Sequence, residues 1–124
     1  MARKKIMVVD DEPNLVELLA GLFVPEGYEI IPVYSGHECL KKLKKTKPDL
    51  ILMDMMMPGM SGREVTEKIR ADPKTKGLKI IFLTVARFSE VGKDVLSKMK
   101  VHDYITKPFD NKDLMKRVKK ALEK

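Results

Sequence analysis

Charged and turn-forming residues divide this chain into short apolar runs that recur five times. KIMVV leads directly into Asp10, and EIIPV (Glu29–Val33), LILM (Leu50–Met53), KIIFLT (Lys79–Thr84) and DYIT (Asp103–Thr106) follow. Apolar runs of this length, without polar alternation, predict strands buried on both faces, as in a parallel sheet. Pro32 cannot donate to a hydrogen-bond ladder, so the second strand is assigned to an edge.

Between the runs the apolar spacing becomes helical. Leu15, Leu18, Leu19 and Leu22 follow the i, i+3, i+4, i+7 rule, with Pro13 in the first turn and Gly27 as terminator. Leu40 and Leu43 give a second, shorter face behind Ser35 and Gly36. Val65 and Ile69 mark a third helix, opened by Ser61 with Glu64 at capping-box spacing. Val91, Val95, Leu96 and Met99 mark a fourth, with Ser89 as N-cap, and Leu114, Val118, Ala121 and Leu122 a fifth, opened by Asp110.

Strand followed by helix, five times over, predicts helices on both faces of one parallel sheet, because such crossovers are right-handed. The edge proline and the first crossover favour strand order 2-1-3-4-5. The expected fold is therefore one α/β domain over residues 1–124, a doubly wound, flavodoxin-like five-stranded sheet with five helices and no output domain.

Composition changes this picture little. The 44% hydrophobic and 35% charged residues exclude a disordered tail, and no apolar run is long enough to span a bilayer or act as a signal peptide. Cys39 is the single cysteine, which rules out an internal disulfide and suits a cytoplasmic setting. The net charge of +7 gathers in two lysine-rich segments, around Lys41–Lys47 and Lys112–Lys124. Without interleaved aromatics or a nucleic-acid motif, both are read as solvated helix faces, and no nucleic-acid partner is expected.

Candidate chemistry lies at the carboxyl ends of the strands, where ligands bind in such sheets. The first strand ends in Asp10 and Asp11, the third in Asp54, the fourth in Thr84, and the fifth in Thr106 and Lys107. Three carboxylates and one ammonium sum to −2, and like charges about 4 Å apart repel by roughly 4 kcal/mol at an effective dielectric near 20. A divalent cation neutralises the set. Hard oxygen ligands favour Mg²⁺, with Mn²⁺ as a substitute. Lys107 suits a phosphoryl oxygen, Thr84 offers a hydroxyl, and Asp54 can serve as the nucleophile of an aspartyl phosphate. A P-loop or dinucleotide fingerprint is missing, and Asp10, Asp11 and Glu12 would repel a flavin phosphate. Thioether binding of Cu(I) by Met53, Met55, Met56, Met57 and Met60 is the weaker reading beside core filling, and His37 and His102 are read as surface residues.

VVDDE, DLILMDMMMPGMSG, LTVA and YITKPF together resemble the receiver domains of two-component response regulators, over Lys5 to Leu122. The stand-alone, chemotaxis-type (CheY-like) form is the nearest type. The resemblance implies Asp54 as phospho-acceptor from a sensor histidine kinase and Asp11 as a direct Mg²⁺ ligand. Asp10 would act through a water, and the Met56 backbone carbonyl would complete the protein ligands. Lys107 would pair with the phosphoryl group, Thr84 would move to bond it, and Tyr104 would swing inward. Lys107–Pro108 matches a bond that is often cis in the family. Output would run through helix four, strand five and helix five to a downstream protein such as a flagellar switch component, from a monomer or weak dimer. A phosphorelay intermediate and a non-phosphorylated binding module are the alternatives. Two positions depart from the pattern. Val85 stands where Ala or Gly is usual, which implies slow phosphorylation by small donors and slow hydrolysis. Lys100 stands where helix four often ends in Gly.

Overall fold

The computed structural model describes residues 3–85 and 97–123. Five parallel strands, β1 (Lys5–Val9), β2 (Glu29–Val33), β3 (Leu50–Met53), β4 (Ile80–Thr84) and β5 (Asp103–Thr106), form one sheet in the order β2-β1-β3-β4-β5. The expected flavodoxin-like arrangement is thus present, and the fourth strand starts one residue later than its apolar run suggested.

The strands sort their side chains by alternation. Ile6, Val8, Leu50, Leu52, Ile81, Leu83 and Ile105 face one layer, where they meet α1 (Pro13–Phe23) and the C-terminal helix (Asn111–Leu122). Met7, Val9, Ile51, Met53, Ile80 and Phe82 face the other, which holds residues of α2 (Gly36–Leu43) and α3 (Gly62–Ala71). Central strands buried on both faces read as continuous apolar runs for this reason.

Local signals place the helices. Pro13 occupies the first turn of α1, whose end continues as a 3₁₀ turn (Val24–Glu26) before Gly27 closes it at φ 95°. The buried stripe of α1 is Val16, Leu19 and Phe23, and Leu18 of the predicted face is 47% exposed. Leucine alone does not reveal which side of a helix the sheet will cover. Ser35 caps α2, accepting from the Glu38 N–H. Ser61 and Glu64 form the expected capping box of α3 through both reciprocal bonds. Asp110 holds the N-cap position of the C-terminal helix without a side-chain capping bond. Of the fourth predicted helix, Ser89, Val91, Val95 and Leu96 lie outside the described residues; Met99 lies within them and is buried. No helix among the described residues is long and apolar enough to cross a membrane.

The edge strand is managed by its neighbours. Glu29 and Val33 direct backbone groups toward β1, as the Glu29 N–H bond to Lys4 and the Val33 carbonyl bond to Asp10 show. Strand alternation then turns the Pro32 backbone outward, where its missing N–H is not needed. From α2, the Lys42 ammonium bonds the Pro32 carbonyl and the Glu38 carboxylate accepts from the Tyr34 N–H.

Candidate functional site

The sheet reverses its winding between β1 and β3, and the residues just past these two strands stand side by side. The Asp10 N–H donates to Val33 O at 3.0 Å, and the Asp54 N–H donates to Val9 O at 3.0 Å. These bonds extend the ladder by one residue and hold both carboxylates at its end. Asp10 is 2% exposed and Asp54 is 4% exposed, whereas Asp11 is exposed. Carboxylate oxygens of Asp10, Asp11 and Asp54 all lie within 4.8 Å of one another.

Lys107 enters the same pocket from the end of β5. Its N–H donates to Thr84 O at 2.8 Å, which fixes the loop against β4. The ammonium lies 2.7 Å from Asp10 Oδ2 and 3.8 Å from Asp54 Oδ2. Its nearer partner is therefore Asp10. The Lys107–Pro108 peptide is cis. Thr84 is fully buried, and its side chain hydrogen-bonds to Asp54. The Met56 N–H donates to Asp54 Oδ1 at 3.1 Å, and the Glu12 N–H donates to Asp10 Oδ1 at 2.9 Å.

Burial pushes the Asp54 carboxyl above its ordinary range, and the neighbouring Asp10 charge adds to that. The Met56 N–H, Thr84 and Lys107 oppose the shift without cancelling it. Three acids with one ammonium leave the pocket at −2. Clustered hard oxygen donors and uncompensated negative charge fit a Mg²⁺-type cation.

All five predicted polar residues of the pocket, Asp10, Asp11, Asp54, Thr84 and Lys107, are brought together. Tyr104 is half-buried on β5, edge-on to Phe82 with ring centroids 6.1 Å apart. Met56 is 61% exposed between the buried Met55 and Met57, and Val85 is 58% exposed after the buried Thr84. His37 and His102 are exposed.

One supporting residue had no reading in the sequence. A Cβ on Gly62 would lie 2.1 Å from the Asp54 carbonyl oxygen, so the start of α3 touches the backbone that carries the central acid. The Gly62 N–H donates to Met55 O at 3.1 Å, closing the loop between Asp54 and α3. Its sequence signals were its place at the end of the DLILMDMMMPGMSG motif and directly after the N-cap Ser61, and neither reveals the contact with Asp54.

The model of the response regulator receiver domain matches residues 6–119, and the chain belongs to that family. It is a receiver domain of two-component signalling, a class of switch rather than of conventional enzyme. The response regulator TrrA from Thermotoga maritima, solved in complex with Mg²⁺ and BeF, is 44% identical. The alignment covers 96% of this chain and 99% of that one, with a TM-score of 0.83. The chemotaxis response regulator CheY4 of Vibrio cholerae is 27% identical over 98% of this chain and 100% of that one, with a TM-score of 0.88. A CheY-like receiver domain protein from Methanospirillum hungatei is 28% identical over 98% and 95%, with a TM-score of 0.89.

Proposed function

We propose that Asp54 accepts a phosphoryl group from a histidine kinase. The observation that carries this reading is the convergence of Asp10, Asp11, Asp54, Thr84 and Lys107 from four strand ends on one pocket. An Asp54 oxygen attacks phosphorus, the P–O bond forms, and the bond to the donor imidazole nitrogen or acyl oxygen breaks. The Met56 N–H and the Thr84 side chain orient the Asp54 carboxylate. Lys107 exchanges its Asp10 contact for the incoming phosphoryl oxygen. Asp10, Asp11, Asp54 and the Met56 carbonyl would hold Mg²⁺, which would supply charge neutralisation for the transferring group. The Mg²⁺–BeF complex of TrrA supports this assignment by similarity.

The new phosphoryl group adds roughly −1.5 to −2 charge. It favours the arrangement in which Thr84 and Lys107 close on it, to the extent that this arrangement binds it better. Tyr104, on the strand that ends at Lys107, follows the movement of Thr84 and changes the face formed by β5, the C-terminal helix and the predicted fourth helix. A downstream protein reads that face. Incubation with acetyl phosphate and Mg²⁺ should add one phosphoryl group in an acid-stable, base-labile form. Absence of the adduct, or its persistence in Asp54→Ala, would reject the assignment.

A further inference from the structure

A second built surface lies at the opposite edge of the sheet from the acidic pocket, where α2 and α3 end and β3 and β4 begin. The turn after α2 and the loop after α3 enclose two cavities of about 490 and 240 Å³ that share Leu43, Lys44, Lys74 and Thr75. Lys68 lines the larger cavity, and Lys45 and Lys47 line the smaller. Leu40 and Leu43, both half-buried, line the apolar wall of the larger cavity. Residues separated in sequence by the whole of β3 and α3 thus surround one groove.

The groove's charge is left open. Lys44, Lys45, Lys47, Lys68 and Lys74 are all exposed. None is in an ion pair among the described residues. Among the described residues Asp72 is the one acid lining the groove, and its Oδ1 accepts from the Lys74 N–H at 3.0 Å. The lysines lie on the rim of a single groove, so their potentials add despite solvent screening. Among the described residues no aromatic side chain lines the groove for stacking a base, and a phosphate backbone gains nothing from leucine.

We infer that this groove binds an acidic polypeptide segment that inserts apolar side chains between Leu40 and Leu43 while its carboxylates meet the lysine rim. Charge complementarity and the leucine wall select this partner chemistry together. Strands of four to five residues place the groove roughly 13–17 Å from the acidic pocket. A partner can therefore dock here in either phosphorylation state, leaving Asp54 open.

The test uses a fluorescein-labelled amphipathic peptide of Glu and Leu, titrated with the whole chain and followed by anisotropy. Saturable binding should weaken about tenfold or more in a Lys44→Glu/Lys68→Glu/Lys74→Glu variant. It should weaken likewise when Ala replaces Leu in the peptide. Lys112→Glu/Lys116→Glu, on the C-terminal helix, should leave it unchanged, and melting curves establish that each variant is folded. Equal losses in the two lysine variants, or indifference to the Leu-to-Ala change, would overturn the proposal in favour of diffuse charge attraction. Tighter binding of a single-stranded DNA oligomer of equal charge, lost in the triple variant, would overturn it in favour of a nucleic-acid site. Absence of saturable binding to the peptide would also overturn it.

Discussion

At the residue scale, the pocket is a set of groups held against their own preferences. Burial lifts Asp54 above its unfolded-state range, so its ionised form opposes folding. Its favourable contribution exists only while it is protonated, below the ordinary carboxylate range, and is lost as pH rises through the folded-state value. In metal-free buffer at neutral pH, Asp54→Asn should therefore raise unfolding stability by about 1 kcal/mol. The gain should shrink as pH falls through the raised folded-state value and be gone below about pH 4, as urea titrations across pH will show. Steric constraint is as sharp at Gly62. Gly62→Ala drives a Cβ into the Asp54 carbonyl and should cost about 3 kcal/mol or more. Gly21→Ala, exposed inside α1 with nothing within 4 Å, should gain about 0.5–1 kcal/mol by the same measurement. Val85 bears on rate: Val85→Ala should speed labelling by acetyl phosphate or loss of the phosphoryl group. Unchanged rates in both would remove it as a brake.

Between elements, Arg70 ties several segments together. From α3 its guanidinium donates to the carbonyls of Met99, Lys76, Leu78 and Lys100, at 2.7, 2.9, 2.7 and 3.2 Å respectively. It joins α3, the loop leading into β4 and the turn leading into β5. That turn includes Lys100 at φ 54°, a left-handed position that favours glycine. The sequence departure at Lys100 thus keeps the turn geometry a glycine would have, with Arg70 bonded to its carbonyl. Arg70→Lys cannot bridge four carbonyls and should lose about 2 kcal/mol of stability in urea. Lys100→Gly should gain about 1 kcal/mol. Other basic side chains act similarly at the end of the C-terminal helix, where Lys4 bonds Leu122 O and Lys79 bonds Ala121 O.

At the scale of the molecule, the sheet separates two sites of opposite charge. Its carboxyl edge carries the acidic pocket, and its amino edge carries the lysine groove. A cation that binds only the folded pocket stabilises by mass action, by about 2.7 kcal/mol at a concentration one hundred times its dissociation constant. Mg²⁺ should therefore raise the melting temperature of the chain, EDTA should reverse the rise, and Asp11→Asn should abolish most of it. A melting temperature indifferent to Mg²⁺ would separate the acid cluster from metal binding.

The sequence by itself determined the five strands, the capping box of α3, the closing glycine of α1 and the residues of the acidic pocket. Each follows from information within one segment or one crossover: apolar runs, capping side chains, strand-end acids and the right hand of βαβ units. Only the tertiary structure decided which side of α1 is covered, leaving Leu18 in solvent and burying Val16 and Phe23. It alone paired Lys107 more closely with Asp10 than with Asp54, because the β5 loop is fixed by Thr84 rather than by neighbours in sequence. Gly62 and the lysine groove were illegible for one physical reason. Each depends on a close approach between segments distant along the chain, and a single segment carries no record of what packs against it.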